Sequence, residues 1–130
     1  MDNLVENIKR SEGFRGDVYE DHLGFATVGY GTKMPISEAE AELLLKRRLE
    51  IAVDALLEKK GFIAELSEQR QEVLYEMVYQ LGVNGLLKFK KMFAAIEAGD
   101  FERASKEMLD SKWAKQTPNR AQRLAAIMQG

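Results

Sequence analysis

Apolar and polar positions along this chain follow two different periods. From residue 37 to about 60, Ala41, Leu45, Leu49, Ala52, Val53 and Leu56 recur every three or four positions, the spacing of one helical stripe. Ser37 with Glu40 three positions on forms a capping box that opens this helix, and Gly61 ends it. It is long enough to join two lobes. A second helix is predicted from about 68 to 81, with Val73, Leu74, Met77, Val78 and Leu81 inward, and "GVNG" breaks it. Shorter helices are predicted at about 86–98, 101–110 and 118–128. Thr117 is placed to cap the last, with Pro118 at its first position. At the other end, residues 3–11 read as a helix capped by Asp2 and stopped by Gly13, with Val5, Ile8 and Glu12 on one face.

Between residues 18 and 32 the helical period disappears. Gly24, Gly29 and Gly31 punctuate the stretch, and "FATVGYG" is rich in β-formers. One or two hairpins are predicted, turning near His22–Gly24. Phe25, Thr27 and Gly29 fall on one face of the strand, and Ala26, Val28 and Tyr30 on the other. The predicted class is therefore α+β and mostly helical, a single domain over 1–130. A small β-hairpin lobe (13–36) leads through a connecting helix (37–60) to a larger all-helical lobe (61–130). Helix 1–12 is expected to pack on that larger lobe.

Composition narrows the chemistry. The 130 residues are 45% hydrophobic and 31% charged, which suits a globular protein able to bury a core. No cysteine is present, so disulfides, thiol catalysis and thiolate metal sites are excluded, and one histidine, His22, cannot build a histidine-rich cluster. No organic cofactor or metal is implied. No apolar run approaches a membrane span, and "MDNLVENIKR" lacks the features of a secretory signal. Synthesis in the cytoplasm without stable membrane insertion is expected. The formal charge is −2 over residues 1–36, −2 over 37–70 and +2 over 71–130. That is not a nucleic-acid footprint. Lys88, Lys90 and Lys91 form a local basic patch, for which a solvated helix face is a sufficient account.

The chemistry-bearing residues lie in "SEGFRGDVYEDHLGFATVGYGT", 11–32. Glu12 ends a helix on its apolar face, where desolvation and the negative end of the helix dipole both favour the protonated acid. It reads either as a general acid or as a glutamate tucked against an arginine. Asp21 lies beyond the turn in non-helical chain. A turn role accounts for it and for its neighbour Glu20. Two carboxyl groups in contrasting environments are also what glycoside hydrolysis requires. Thr27 can donate and accept, and so hold a water beside Asp21, although a β-branched strand residue needs no such role. His22 is assigned to the surface of the turn.

Glu12, Asp21 and Thr27 at these spacings, within "SEG", "Y-x-D" and "G-x-x-T-V-G-Y-G", resemble the catalytic triad of the phage-type lysozymes, the T-even phage endolysin muramidases and their relatives. "MVYQLG" (77–82) resembles that family's cleft-lining helix, and "SKWAKQTPNRA" (111–121) the entry to its last helix. The resemblance implies a lysozyme-like fold and hydrolysis of the β-1,4 bond between N-acetylmuramic acid and N-acetylglucosamine in peptidoglycan. By the same resemblance Glu12 is the general acid. Asp21 stabilises positive charge and, with Thr27, handles the attacking water. Arg120 pairs with Glu12, while Gln80, Tyr79 and Lys112 contact glycan. Inversion at the anomeric carbon is implied, with no cofactor.

The implied setting is an endolysin of a phage or prophage. It would be made in the host cytoplasm and act on the wall or periplasm, with a separate holin for release. A monomer is expected, with peptidoglycan strands as partner and no nucleic acid. Two other readings remain: a weakly catalytic peptidoglycan-binding or assembly module, and a chitosan-type hydrolase. The chain departs from the family in its short connection from Thr32 to Ser37, in Thr32 where relatives commonly carry histidine, and in a pI near 5.5.

Overall fold

The sequence folds into seven helices and one small sheet; the computed structural model describes residues 1–130. Helix α1 (Asp2–Glu12) leads into strands β1 (Arg15–Glu20), β2 (Ala26–Gly29) and β3 (Thr32–Lys33). Then follow α2 (Glu38–Lys59), a 3₁₀ turn (Gly61–Glu65), α3 (Glu68–Leu87), α4 (Lys90–Glu97), α5 (Phe101–Leu109), α6 (Lys112–Gln116) and α7 (Pro118–Gln129). The chain groups into two compact units, Met1–Leu44 and Leu45–Gly130, with α2 crossing the boundary.

In the first unit the strands form an antiparallel sheet in the order β1-β2-β3. Tyr19 faces Thr27, which in turn faces Lys33, so Thr27 sits at the centre of the register. The pairing is irregular between Arg15 and Tyr19. The Ser37–Glu40 capping box is formed: Glu40 N–H donates to Ser37 Oγ at 3.1 Å, and Ser37 N–H to Glu40 Oε1 at 2.9 Å. Asp2 does not cap α1; it lies in the first turn, after Met1. Helix α1 groups with the strands in this unit. It buries no residue, and Val5 and Ile8 are 48% and 46% exposed.

The second unit holds the core. Leu56, Ile63, Leu74, Met77, Leu86, Phe93, Met108, Leu124 and Met128 are fully buried. Each such side chain contributes about 1.5–3 kcal/mol by leaving water. The stripe expected on α2 is buried only near its end: Leu56 is inside and Ala52 packs against the core, but Leu45 is exposed. On α3, Val73, Leu74, Met77 and Val78 are inward as the period predicts. The break at "GVNG" is a kink rather than an end. Gly82 takes φ 75°, ψ 161°, and helix resumes through Leu87. Arg70 holds the end of α7 through Nε to Met128 O (2.8 Å) and Nη2 to Gln129 O (3.1 Å), satisfying carbonyls that a helix end leaves unpaired. The short helix α6 was not predicted; Ser111 caps it.

Candidate functional site

Glu12 is the last residue of α1, and Gly13 closes the helix at φ 72° with its N–H on Lys9 O at 2.9 Å. The Glu12 side chain lies directly against the backbone of Gly31. A Cβ on Gly31 would stand 2.6 Å from Glu12 Oε2 and 2.7 Å from Cδ. Gly31 also has φ 75°, a conformation that favours glycine. Two independent demands thus fall on this position. Glu12 is exposed here rather than driven inward by Val5 and Ile8, so the apolar face of α1 does not bury it.

Asp21 follows β1 and organises the turn that leads to β2. Its Oδ1 accepts from Leu23 N–H and Phe25 N–H, both at 2.9 Å. Its own N–H donates to Phe25 O, and its carbonyl accepts from Gly24 N–H, each at 2.9 Å. Lys33 Nζ on β3 approaches Oδ2 at 3.5 Å. The Phe25 N–H holds the Asp21 carboxyl below the usual aspartate range, helped by the Leu23 N–H and the Lys33 ammonium; partial desolvation opposes them without prevailing. Asp21 is therefore a stable carboxylate near neutral pH. The turn role and the charge role weighed from sequence coexist in one side chain.

Thr27 is one of two buried polar residues, at 2% exposure. Its Oγ1 donates to Phe25 O at 2.8 Å. Phe25 therefore bridges the pair: its N–H goes to Asp21 and its carbonyl receives Thr27. With its proton committed, the Thr27 oxygen can accept but not donate further. A water donating to it would keep a lone pair for attack elsewhere. His22 is exposed on the turn, as expected, and Glu20 is exposed beside Asp21.

In the helical unit, two α3 residues one turn apart hold three residues from the chain that follows α5. Gln80 Oε1 accepts from Trp113 Nε1 at 2.9 Å. Indole nitrogen only donates, so the amide is oriented with its NH₂ left for another acceptor. Glu76 Oε2 accepts from Arg120 Nε at 2.8 Å and from Arg123 Nη2 at 2.7 Å. Arg120 is thus engaged by Glu76 within this unit. Tyr79 and Lys112 are exposed. Thr117 stands at the start of α7, but its hydroxyl donates back to Trp113 O at 2.9 Å rather than capping. Sequence reading missed Glu76, Trp113 and Lys33. The i, i+4 spacing of Glu76 and Gln80 was the available signal for the first. No group of three or more His, Cys, Asp or Glu side chains gathers as a metal site.

A small antiparallel sheet in which Asp21 and Thr27 are both hydrogen-bonded to the backbone of Phe25, with a helix-end glutamate beside it and helices after it, defines a lysozyme-like α+β protein. Residues 9–128 match the phage lysozyme family, and the chain belongs to that family of glycoside hydrolases. It is 26% identical to the probable T4-type lysozyme 1 of Dictyostelium discoideum, over 99% of this chain and 95% of that protein. It is 25% identical to the probable T4-type lysozyme 2 of the same organism, over 99% and 95%. It is 31% identical to the pre-baseplate central spike protein Gp5 of Enterobacteria phage T4, over 97% of this chain but 27% of that protein. These alignments run over 157 to 161 positions, longer than the chain, so the relatives carry segments that it lacks. No helix is long and apolar enough to cross a membrane.

Proposed function

We propose that this protein is a muramidase that hydrolyses the β-1,4 bond between N-acetylmuramic acid and N-acetylglucosamine in bacterial peptidoglycan. The observation that carries the reading is the Asp21–Phe25–Thr27 constellation, a carboxylate kept ionised beside a hydroxyl that can only accept. Glu12 protonates the leaving glycosidic oxygen. Asp21 stabilises the developing oxocarbenium charge, and Thr27 with Asp21 holds the attacking water, giving inversion. Arg120 serves Glu12 as a charge partner, and Gln80, Tyr79 and Lys112 contact the glycan. Gln80 offers its free NH₂ to an acetamido carbonyl.

The setting we propose is a phage or prophage endolysin, made in the host cytoplasm and acting on the wall once a separate holin has opened the membrane. The similarity to a central spike protein favours a second setting, a lysozyme module carried on a phage tail. Mass analysis of muropeptides after digestion of purified sacculi tests the reaction. Products with new reducing muramic acid ends are expected. Anhydro-muramic ends, or no released products, would remove the assignment.

A further inference from the structure

The basic patch that the catalytic reading leaves unused has a place in the fold. Lys88, Lys90 and Lys91, at the passage from α3 into α4, line a groove of about 520 Å³, and Lys112 at the start of α6 faces it from a distant part of the sequence. All four are exposed, and none of their ammonium groups is in an ion pair. Phe89 and Trp113, packed edge to face at 6.0 Å, supply an apolar floor. Glu107 and Asp110 line the groove too; Glu107 is engaged by Arg103 at 4.0 Å. The groove is therefore net positive in a chain whose net charge is −2.

Four unpaired ammonium groups around one groove repel one another and gain most from a ligand that carries several negative charges. A low-dielectric floor strengthens that attraction. No arginine lines the groove, so nothing in it offers the bidentate fork that planar carboxylates select, whereas lysines bind phosphate as point charges. Four ammonium groups distributed along the lining of one groove suit a chain with regularly repeated charge more than a single anion. Trp113 also ties the groove to Gln80, the glycan contact proposed above.

We propose that this groove binds a linear polyol-phosphate polymer of the kind attached to bacterial wall glycan, and so holds the enzyme on phosphate-bearing wall. The inference rests on the muramidase reading for its choice of polymer, while the binding itself needs no catalysis.

The test is titration with purified poly(glycerol phosphate), followed by calorimetry and by the emission of Trp113, the chain's single tryptophan. Saturable binding is expected, weakened about fifty-fold between 50 and 200 mM salt if all four lysines exchange counterions. The Lys88→Gln/Lys91→Gln/Lys112→Gln variant should bind at least ten-fold more weakly. Lys9→Gln/Lys59→Gln/Lys115→Gln, which removes the same charge elsewhere, should bind nearly as wild type. Single Lys112→Gln should lose a few-fold, which guards against misfolding of the triple variant. Glu12→Gln should bind unchanged, so that failure of hydrolysis and failure of binding are read apart. Equal weakening by the two triple variants, or tighter binding of a single-stranded oligonucleotide of equal charge, would overturn the proposal.

Discussion

The carboxyl group of Glu12 occupies the space where a side chain on Gly31 would begin. A Cβ there would come within 2.6 Å of Oε2, and Gly31 is already at φ 75°. Gly31→Ala should therefore act twice. The backbone conformation costs about 1–2 kcal/mol for a residue with a Cβ, and the methyl displaces the catalytic acid. The expected outcome is a melting point lower by several degrees and a kcat reduced more than stability alone explains. Activity measured well below the variant's own melting point separates the two effects. Full activity there would mean that Glu12 does not need its position against Gly31.

Glu12→Gln removes the transferable proton but keeps shape. α1 buries none of its residues and Glu12 is exposed, so stability should change by less than about 0.5 kcal/mol, as is usual for surface substitutions. Turnover should fall at least about 10²-fold, the lower range for losing general acid catalysis. Clearing of permeabilised cells and thermal melts on the same preparation check both. Lysis at the wild-type rate would end the assignment of the acid.

Asp21 links the site to pH. Its native carboxyl lies below the ordinary aspartate value of 3.8, because Phe25 N–H, Leu23 N–H and Lys33 favour the charged form. A depressed native value contributes stability above the unfolded value, and that contribution disappears as pH falls through the native one. The first unit should accordingly lose stability below about pH 4. Asp21→Asn should flatten that acid limb and also abolish turnover. Urea melts between pH 2 and 7, followed by the circular dichroism of both proteins, read the difference. An identical acid limb in wild type and variant would refute the linkage.

Much of this was legible in the chain, and the exceptions have physical causes. The Ser37–Glu40 box and the inward face of α3 are local signals that the fold obeys. Glu12, Asp21 and Thr27 were singled out through motif spacing, since each alone had a plainer explanation. Asp21 shows why: its turn bonds and its ionised state are the same contacts. What failed depended on partners that periodicity cannot name. Nothing in the spacing announced that Glu76 holds Arg120, and Thr117 prefers Trp113 O to a cap. At Gly82 the chain kinks rather than stops, and the helix that resumes carries Leu86 into the core.

Glu76 binds Arg120 and Arg123 through one oxygen, at 2.8 and 2.7 Å, with all three side chains partly exposed. Solvent keeps such pairs modest, so a Glu76→Gln/Arg120→Gln double-mutant cycle should show a coupling of about 0.2–1 kcal/mol in melting free energy. Activity should divide the two residues differently. Glu76→Gln leaves Arg120 charged and in place on α7, so kcat should stay within a few-fold of wild type. Arg120→Gln removes the cation proposed to serve Glu12 and should lower kcat at least ten-fold, with Arg120→Lys restoring part of it. A kcat untouched by Arg120→Gln would confine Arg120 to the ion pair with Glu76 and leave Glu12 to work without it.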